Sequence, residues 1–449
     1  MSSGPGGRIL PFAAFIFVFA VLASLSGCSD EEKGSVSGTA APTGTSEPAP
    51  TSSAEPAATA TSRTETPGIT DTQIVLGVDA PLAGMSGAVY SMIPRATEAY
   101  FKYVNETQGG VCGREIVYKF EDNEGSPEGG LEAVRKLVER DKVFAVVGSL
   151  GDDPHATAWD YLNENEVPDI LVSAGAHRFG SDAEGHPWTV QMIPSYTIEG
   201  TFYGQYISEN LPGKTVGVLG ASGPLYFDAL EGLKSGLDPT KNEIVSEQVF
   251  ELTALSIRSE VTNLRQAYPD VVVSFADPGF TSQAVKEANR LGWHPQWVIS
   301  YTSSDEIMFL FVPPELLEGA VTFNAFNLAS MKDNPAIARH WELMKDYGGP
   351  QPTNFSVYAQ LLGELAVEVL TRTCDNLTRE GLMDAVESIT NWHSDLLLDG
   401  VNVSFSETDH TALQTGRMLR AGLEGNKGKW EYFGPLYSFE GQAESGEGE

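Results

Sequence analysis

From residue 70 onward the chain repeats one pattern: a short aliphatic block, a Gly- or Pro-rich turn, then a longer amphipathic stretch. "QIVLGVDAPL" (73–82) has the continuous apolar run of a strand buried on both faces. "SMIPRATEAYFKYVNET" (91–107) places Ala96, Ala99, Tyr100 and Tyr103 at helical spacing and stops before Gly109-Gly110. "REIVYKFED" (114–122) alternates as a strand does, and "SPEGGLEAVRKLVER" (126–140) predicts an amphipathic helix with a Ser-Pro start. A strand at 143–147, a helix at 154–165 and the strand "VPDILVSAG" complete this first series. The order restarts at "KTVGVLGASG" (214–223) and runs through "FDALEGLKSGL", "EIVSEQVFEL", "SIRSEVTNLRQAYP", "DVVVSFADPG", "TSQAVKEANRLG" and "PQWVISYTSSD".

A βαβα order given twice predicts an α/β fold of two doubly wound parallel-sheet lobes, each with helices on both faces. Such sheets bind ligands in the crevice at the carboxyl ends of their strands. Here those ends read "DAPLAG", "VGSLGDD", "LVSAGAH", "LGASGPLY", "SFADPG" and "SYTSSD". All are small, polar or glycine-rich, so the six loops are expected to converge on one cleft between the lobes.

One of them, within "FAVVGSLGDDPHATA" (144–158), has the strand, glycine turn and helix start of a phosphate-cradling loop. Its glycines have the wrong interval for G-x-G-x-x-G, and Asp152 and Asp153 sit where the anion would go. Two readings of these acids stand. Either one is an ordinary N-cap before Pro154, or Asp152 meets a ligand group that is positive or donates hydrogen bonds. No G-x-x-x-x-G-K-[ST] occurs, the seven histidines never fall at the spacing of a zinc helix, and "GASG" lacks the G-x-S-x-G pattern. An enzyme reading therefore has no residue to stand on; a binder without cofactor or metal is expected.

The ends of the chain change the picture. Residues 1–28 hold one charge, Arg8, and the apolar "ILPFAAFIFVFAVLASLSGC". The run is close to the minimum for a membrane span, but it also has the regions of a signal peptide. "LSGC" resembles the bacterial lipoprotein lipobox, which implies cleavage before Cys28 and lipid on that cysteine; the other reading is an uncleaved anchor. Residues 29–67 are Ser, Thr, Ala, Pro and Glu with almost nothing to bury, the composition of a flexible tether. A disordered tail is expected at 438–449. The net charge of −33 excludes nucleic acid as a partner, since phosphate neutralisation needs Lys and Arg. It suits a soluble protein outside the cytoplasm. With Cys28 lipidated, Cys112 and Cys374 remain, either as a disulfide or as two buried thiols.

The segment from "TDTQIVLGVDAPLAGMSGAVY" through "VCGREIVYKFEDNEGSPEGGLEAVRKLVERDKVFAVVGSLG", together with "HPWTVQMIPSYTIEGTFYGQYI" and "LTREGLMDAVESI", resembles the periplasmic leucine-binding-like proteins that serve branched-chain amino-acid ABC transporters. The resemblance covers roughly 70–437. It implies the type I periplasmic-binding-protein fold, with three crossovers near Met192–Ser195, Gly319–Phe323 and Asp399–Val403. The first lobe is then 70–193 and 323–398; the second is 194–322 and 399–437. Residue by residue, the resemblance assigns ligand contacts to Tyr90, to Ser149, Leu150, Gly151 and Asp152, and to Ser173, Ala174 and Gly175. In the second lobe it assigns Tyr226 (cleft or core aromatic), Phe275 with Asp277, and Ser303, within Tyr301–Asp305, where an acid would grip an ammonium. Asp152 stands where the family's clamp on an α-carboxylate uses a hydroxyl, and Gly175 where it uses a Thr.

The function this implies is a lipid-anchored receptor of an ABC importer, a monomer that takes a branched-chain amino acid or related small polar solute and docks on membrane permease subunits. A second reading is a sensor that presents a small amine or amide to a signalling partner.

Overall fold

The structure, a computed structural model, describes residues 66–439. The expected signal peptide with Cys28, spacer residues 29–65 and tail residues 440–449 lie outside the described residues.

Two sheets form the frame. The first holds β1 (Gln73–Ala80), β2 (Glu115–Asp122), β3 (Ala145–Val147), β4 (Asp169–Val172) and β5 (Thr189–Gln191), all parallel, in the order β2-β1-β3-β4-β5. The second holds β6 (Thr215–Ala221), β7 (Glu243–Phe250), β8 (Val271–Phe275), β9 (Gln296–Ile299), β10 (Val321–Asn324), β11 (Thr415–Glu424) and β12 (Lys427–Ser438). Its order is β12-β11-β10-β9-β8-β6-β7. β6 to β10 are parallel, while β11 and β12 extend the edge as an antiparallel hairpin.

Helices cover both faces, which is why residues 76–80 of β1 and 271–275 of β8 are buried without alternation. Local signals set the helix ends. Met92–Gln108 stops at Gly109, whose φ of +73° closes the helix in the left-handed region. Ser126 accepts from the Gly129 N–H and Pro127 opens the helix Pro127–Arg135.

The chain leaves the first lobe after β5: Met192 packs in the first core and Tyr196, opening the helix Tyr196–Asn210, in the second. It returns after β10. Asn324 still pairs with Arg417 on β11, whereas Ala325 and Phe326 are buried in the first core. Phe323 therefore belongs to the second lobe, one correction to the expected boundary. The third crossover moves further, from Asp399–Val403 to the step between Leu413 and Thr415. Val401, Val403, Phe405, Ala412 and Leu413 all pack in the first core. β12 also runs through Ser438, and the Phe439 N–H donates to Gln414 O, so the strand reaches past the expected start of the tail.

Cys112 and Cys374 are joined as a disulfide across 262 residues, with Cα atoms 5.4 Å apart. The bond ties the turn before β2 to the end of the helix Asn354–Arg372, both in the first lobe.

Candidate functional site

The strand ends of the two sheets converge on a cavity of about 270 Å³ between the lobes, near the lower end of the roughly 300–1,000 Å³ usual for small-molecule pockets. The first lobe contributes Leu150–Asp153 beyond β3, Ser173 beyond β4, Tyr90, and Asn354, Phe355 and Tyr358 from one helix. The second contributes Ala221–Leu225 beyond β6, Asp277 beyond β8, and Tyr301 and Thr302 beyond β9. The crossovers add Ile193, Pro194, Tyr196, Phe323–Phe326 and Leu413. The lining is thus aromatic and aliphatic with a few polar groups. Its ionisable acids are Asp152, Asp153 and Asp277, and no Lys, Arg or His is among the described residues that line it.

Asp152 is the first residue of the helix Asp152–Glu164, and its N-cap is Gly151, held at φ +108° where only glycine is comfortable. Asp152 is thus a helical residue and the N-cap position is a glycine, which corrects the capping reading. The Asp152 Oδ1 accepts from the Ala176 N–H at 2.9 Å and its Oδ2 from the Tyr196 hydroxyl at 2.7 Å. Burial pushes the carboxyl above its ordinary value, and these two donors pull it back. The Tyr196 ring lies on Gly175: a Cβ there would stand 2.4 Å from two ring carbons. The glycine is needed for space, and the ring occupies the room a side chain at 175 would take.

Asp277 caps the helix Pro278–Arg290, its Oδ1 accepting from the Phe280 N–H at 3.0 Å, and burial raises its carboxyl. Tyr90 packs on Phe355 with ring centroids 5.5 Å apart. Burial, then the charges of Asp277, Asp152 and Asp305, push its phenol well above the usual range, so it stays a donor. Ser173 Oγ and the Tyr358 hydroxyl share a hydrogen bond. Asn324, 5% exposed, accepts from the Ala325 N–H through Oδ1, while its Nδ2 has no partner. Tyr301 donates its hydroxyl to Pro194 O at 2.9 Å and its N–H to Glu199 Oε1 at 2.7 Å. Glu199 is fully buried, which pushes it up to about 7.

Hydrogen bonds also run from lobe to lobe. The His177 N–H donates to Asp228 Oδ2 at 2.9 Å. Asp305 Oδ2 accepts from the Phe355 N–H at 2.9 Å, Glu306 Oε2 from the Asn354 N–H at 3.2 Å, and Ser304 O from Asn354 Nδ2 at 3.0 Å. Two second-lobe acids therefore serve the N-terminus of a first-lobe helix, where unpaired N–H groups favour negative charge. The acid expected to face a ligand ammonium near Tyr301–Asp305 is spent on this junction.

Of the sequence-predicted residues, Tyr90, Leu150, Gly151, Asp152, Ser173 and Asp277 line the cavity. The others do not, for separate reasons. Ser149 is fully buried and donates to Asp79 Oδ1. Ala174 is buried behind the loop, its carbonyl accepting from Gln191 Nε2 at 2.7 Å, and Gly175 lies under Tyr196. Tyr226 is a core aromatic packed over Gly220. Phe275 is fully buried beside Tyr203, and Ser303 donates inward to Ala276 O. Tyr196, Asn324, Phe355 and Tyr358 were missed. Only Tyr196, directly after the first expected crossover, had a signal that pointed to the cleft.

A family model described as periplasmic binding protein matches residues 73–429. Leu/Ile/Val-binding protein homolog 3 of Brucella melitensis is 27% identical over 223 residues, 48% of this chain and 58% of that protein. Leu/Ile/Val-binding protein BraC3 of Rhizobium johnstonii is 23% identical over 195 residues, 42% of this chain and 52% of that protein. The chain thus spans a little more than half the length of the curated relatives it matches.

Among solved structures, a fatty acid ABC transporter substrate-binding protein from Thermomonospora curvata is similar at TM-score 0.73 and 23% identity, covering 84% of this chain and 95% of that one. A branched chain amino acid ABC transporter structure from Thermus thermophilus with bound valine gives TM-score 0.71 at 20% identity, covering 81% and 96%. At such identities the likeness is one of fold. The extent of the family match and the two-lobed α/β frame lead to one conclusion: the chain belongs to the periplasmic binding protein family, whose members bind solutes and are not enzymes.

Proposed function

We propose that this protein is the lipid-anchored, monomeric solute receptor of an ABC importer, taking a branched-chain amino acid or related small solute into the cleft between its lobes. The observation that carries this reading is a cavity of about 270 Å³ at the converging strand ends, with hydrogen bonds from lobe to lobe beside it. Closure over a solute converts binding into a change of shape that permease subunits read, and no bond is made or broken. Tyr90, Leu150, Gly151, Asp152, Ser173 and Asp277 form the contact surface. The extracytoplasmic location implied by the family agrees with the Cys112–Cys374 disulfide, since such bonds persist in oxidising compartments. The anchor rests on "LSGC" and the Ser/Thr/Pro/Ala spacer that follows it.

A thermal-shift panel of amino acids and their amine, amide and carboxylate relatives tests the receptor. A solute held only by the folded form at a hundred times its Kd adds about 2.7 kcal/mol of stability. A flat panel, together with no small molecule released on denaturing the purified protein, would count against the reading. Cys28→Ala should move the protein from the membrane fraction to the soluble one; unchanged partitioning would sink the anchor.

A further inference from the structure

We propose that the cleft selects a compact apolar amine that carries no free carboxylate, its ammonium against Asp277 and its body among Tyr90, Tyr301, Phe323 and Phe355. This rests on the receptor reading above and narrows its ligand.

The charge of the lining is the first reason. Asp152, Asp153 and Asp277 face the cavity without a Lys, Arg or His among its described lining residues. A small, mostly apolar space with acids and no cation favours a positive ligand group and disfavours a negative one. Aromatic faces add to that preference, because they attract cations through their quadrupoles.

The second reason is where the donors have gone. A ligand carboxylate arriving at the end of β4 needs N–H and hydroxyl groups. The Ala176 N–H and the Tyr196 hydroxyl are both given to Asp152. The Ser149 hydroxyl is given to Asp79, and Ser173 and Tyr358 share one hydrogen bond, which spends one of their two O–H groups. Asp152 thus already occupies this corner as a carboxylate supplied by the protein. Asp277 differs: its Oδ1 caps a helix, but the residue lines the cavity, as Tyr90 does from the first lobe.

A third, independent observation fixes what else the ligand carries. Asn324 lines the cavity with Nδ2 buried and unpartnered. A buried amide donor left unpaired is costly, so a bound solute that offers it a neutral carbonyl or hydroxyl oxygen fits better than a plain hydrocarbon. Amino-acid amides and amino alcohols meet all three conditions.

Two matched series test this by calorimetry on the mature protein: leucine, leucinamide, isoamylamine and isocaproate; and phenylalanine, phenylalaninamide, phenethylamine and hydrocinnamate. The amides and amines of one series are expected to bind about tenfold or more tightly than its amino acid, with the carboxylates silent. An amino acid or carboxylate that binds as tightly as its amine overturns the proposal. Asp277→Asn should lower amine affinity about tenfold or more with an unchanged melting temperature in the absence of ligand; unaltered affinity also overturns it. Asp152→Asn should narrow the gap between amine and amino acid, since the built-in charge is gone; an unchanged gap counts against the role of Asp152. If neither series binds, the amine class fails. Mass spectrometry of molecules released from the purified protein then separates the two readings. A co-purified acid or sugar leaves the receptor standing, and no released molecule fails both.

Discussion

The two lobes present their strand ends to the same cavity but hold them in different ways. In the first lobe a buried polar network lies behind the loops. Asp79 accepts from the Ser149 hydroxyl and, at 3.0 Å, from Asn123 Nδ2, which also reaches Leu150 O at 2.9 Å. Deeper in, His155 Nε2 lies 3.2 Å from Asp169 Oδ2. In the second lobe the same level is aromatic: Phe202 and Tyr203 pack on Phe323, Phe275 stacks beside Tyr203, and Tyr301 meets Phe323 edge-on at 5.3 Å. Glu199 is buried in this layer and accepts from the Tyr301 N–H. The first lobe also holds the disulfide, and residues 194–324 contain no cysteine. Directional bonds fix a loop to one geometry and leave orphaned groups when broken, whereas ring packing yields in proportion to the volume removed.

That difference can be tested by removing one part from each side. Phe275→Ala takes a fully buried ring from the second core and should cost about 3–5 kcal/mol in urea unfolding. A loss under about 1 kcal/mol would show that the aromatic layer repacks freely. Replacing both Cys112 and Cys374 by Ser frees a loop of 262 residues and should cost about 2–5 kcal/mol. Hydrogen exchange should then rise around the helix Asn354–Arg372 and β2 and leave β6 to β9 protected; a uniform rise would merge the two lobes into one cooperative unit. Asp79→Asn keeps the shape but turns an N–H₂ toward one of two buried donors, for about 1–3 kcal/mol. Because Leu150 lines the cavity on the far side of this network, solute affinity should fall with it. Unchanged affinity would mean the network supports the core alone.

The same contrast explains what could be read from the sequence. β1, β6 and β8 were legible because strands buried on both faces are written as unbroken apolar runs between glycine turns. Asp277 was legible twice over, as a strand-end residue and as the residue before a proline that opens a helix. The strand-end rule gave the neighbourhood of Ser149 but not its direction: next to one another, Ser149 turns to Asp79 and Leu150 to the cavity. Tyr358 sits among Val357, Leu361 and Leu362 on a helix buried almost all round, and its sequence pattern cannot separate cleft from core. Asn324 is placed by β10 pairing with a strand almost a hundred residues later, and residues 399–413 join the first core without a helix or strand. Neither fact has a local signature.

The smallest expected effect concerns the junction between the lobes. Burial first, and the neighbouring Asp305 second, push Glu306 up to about 8, and burial raises Asp305 as well. The groups around them are uncharged at neutral pH: the Asn354 and Phe355 N–H groups, Trp430 Nε1 donating to Asp305 O, and Tyr432, whose phenol is itself raised. Separating the lobes returns Glu306 to water and toward the ordinary value of about 4.3. The joined form then binds the proton more strongly than the separated one. Its advantage is complete below about pH 4.3 and is lost as the pH rises through about 8. Small-angle scattering of the ligand-free protein should show the radius of gyration increasing across that window. Glu306→Gln keeps an oxygen for the Asn354 N–H and cannot ionise, so its curve should flatten, with Asp305 leaving a residual slope at the acid end. Superimposable curves for the two proteins would place the proton elsewhere, and Glu199, pushed up to about 7 inside the second lobe alone, is the group to replace next.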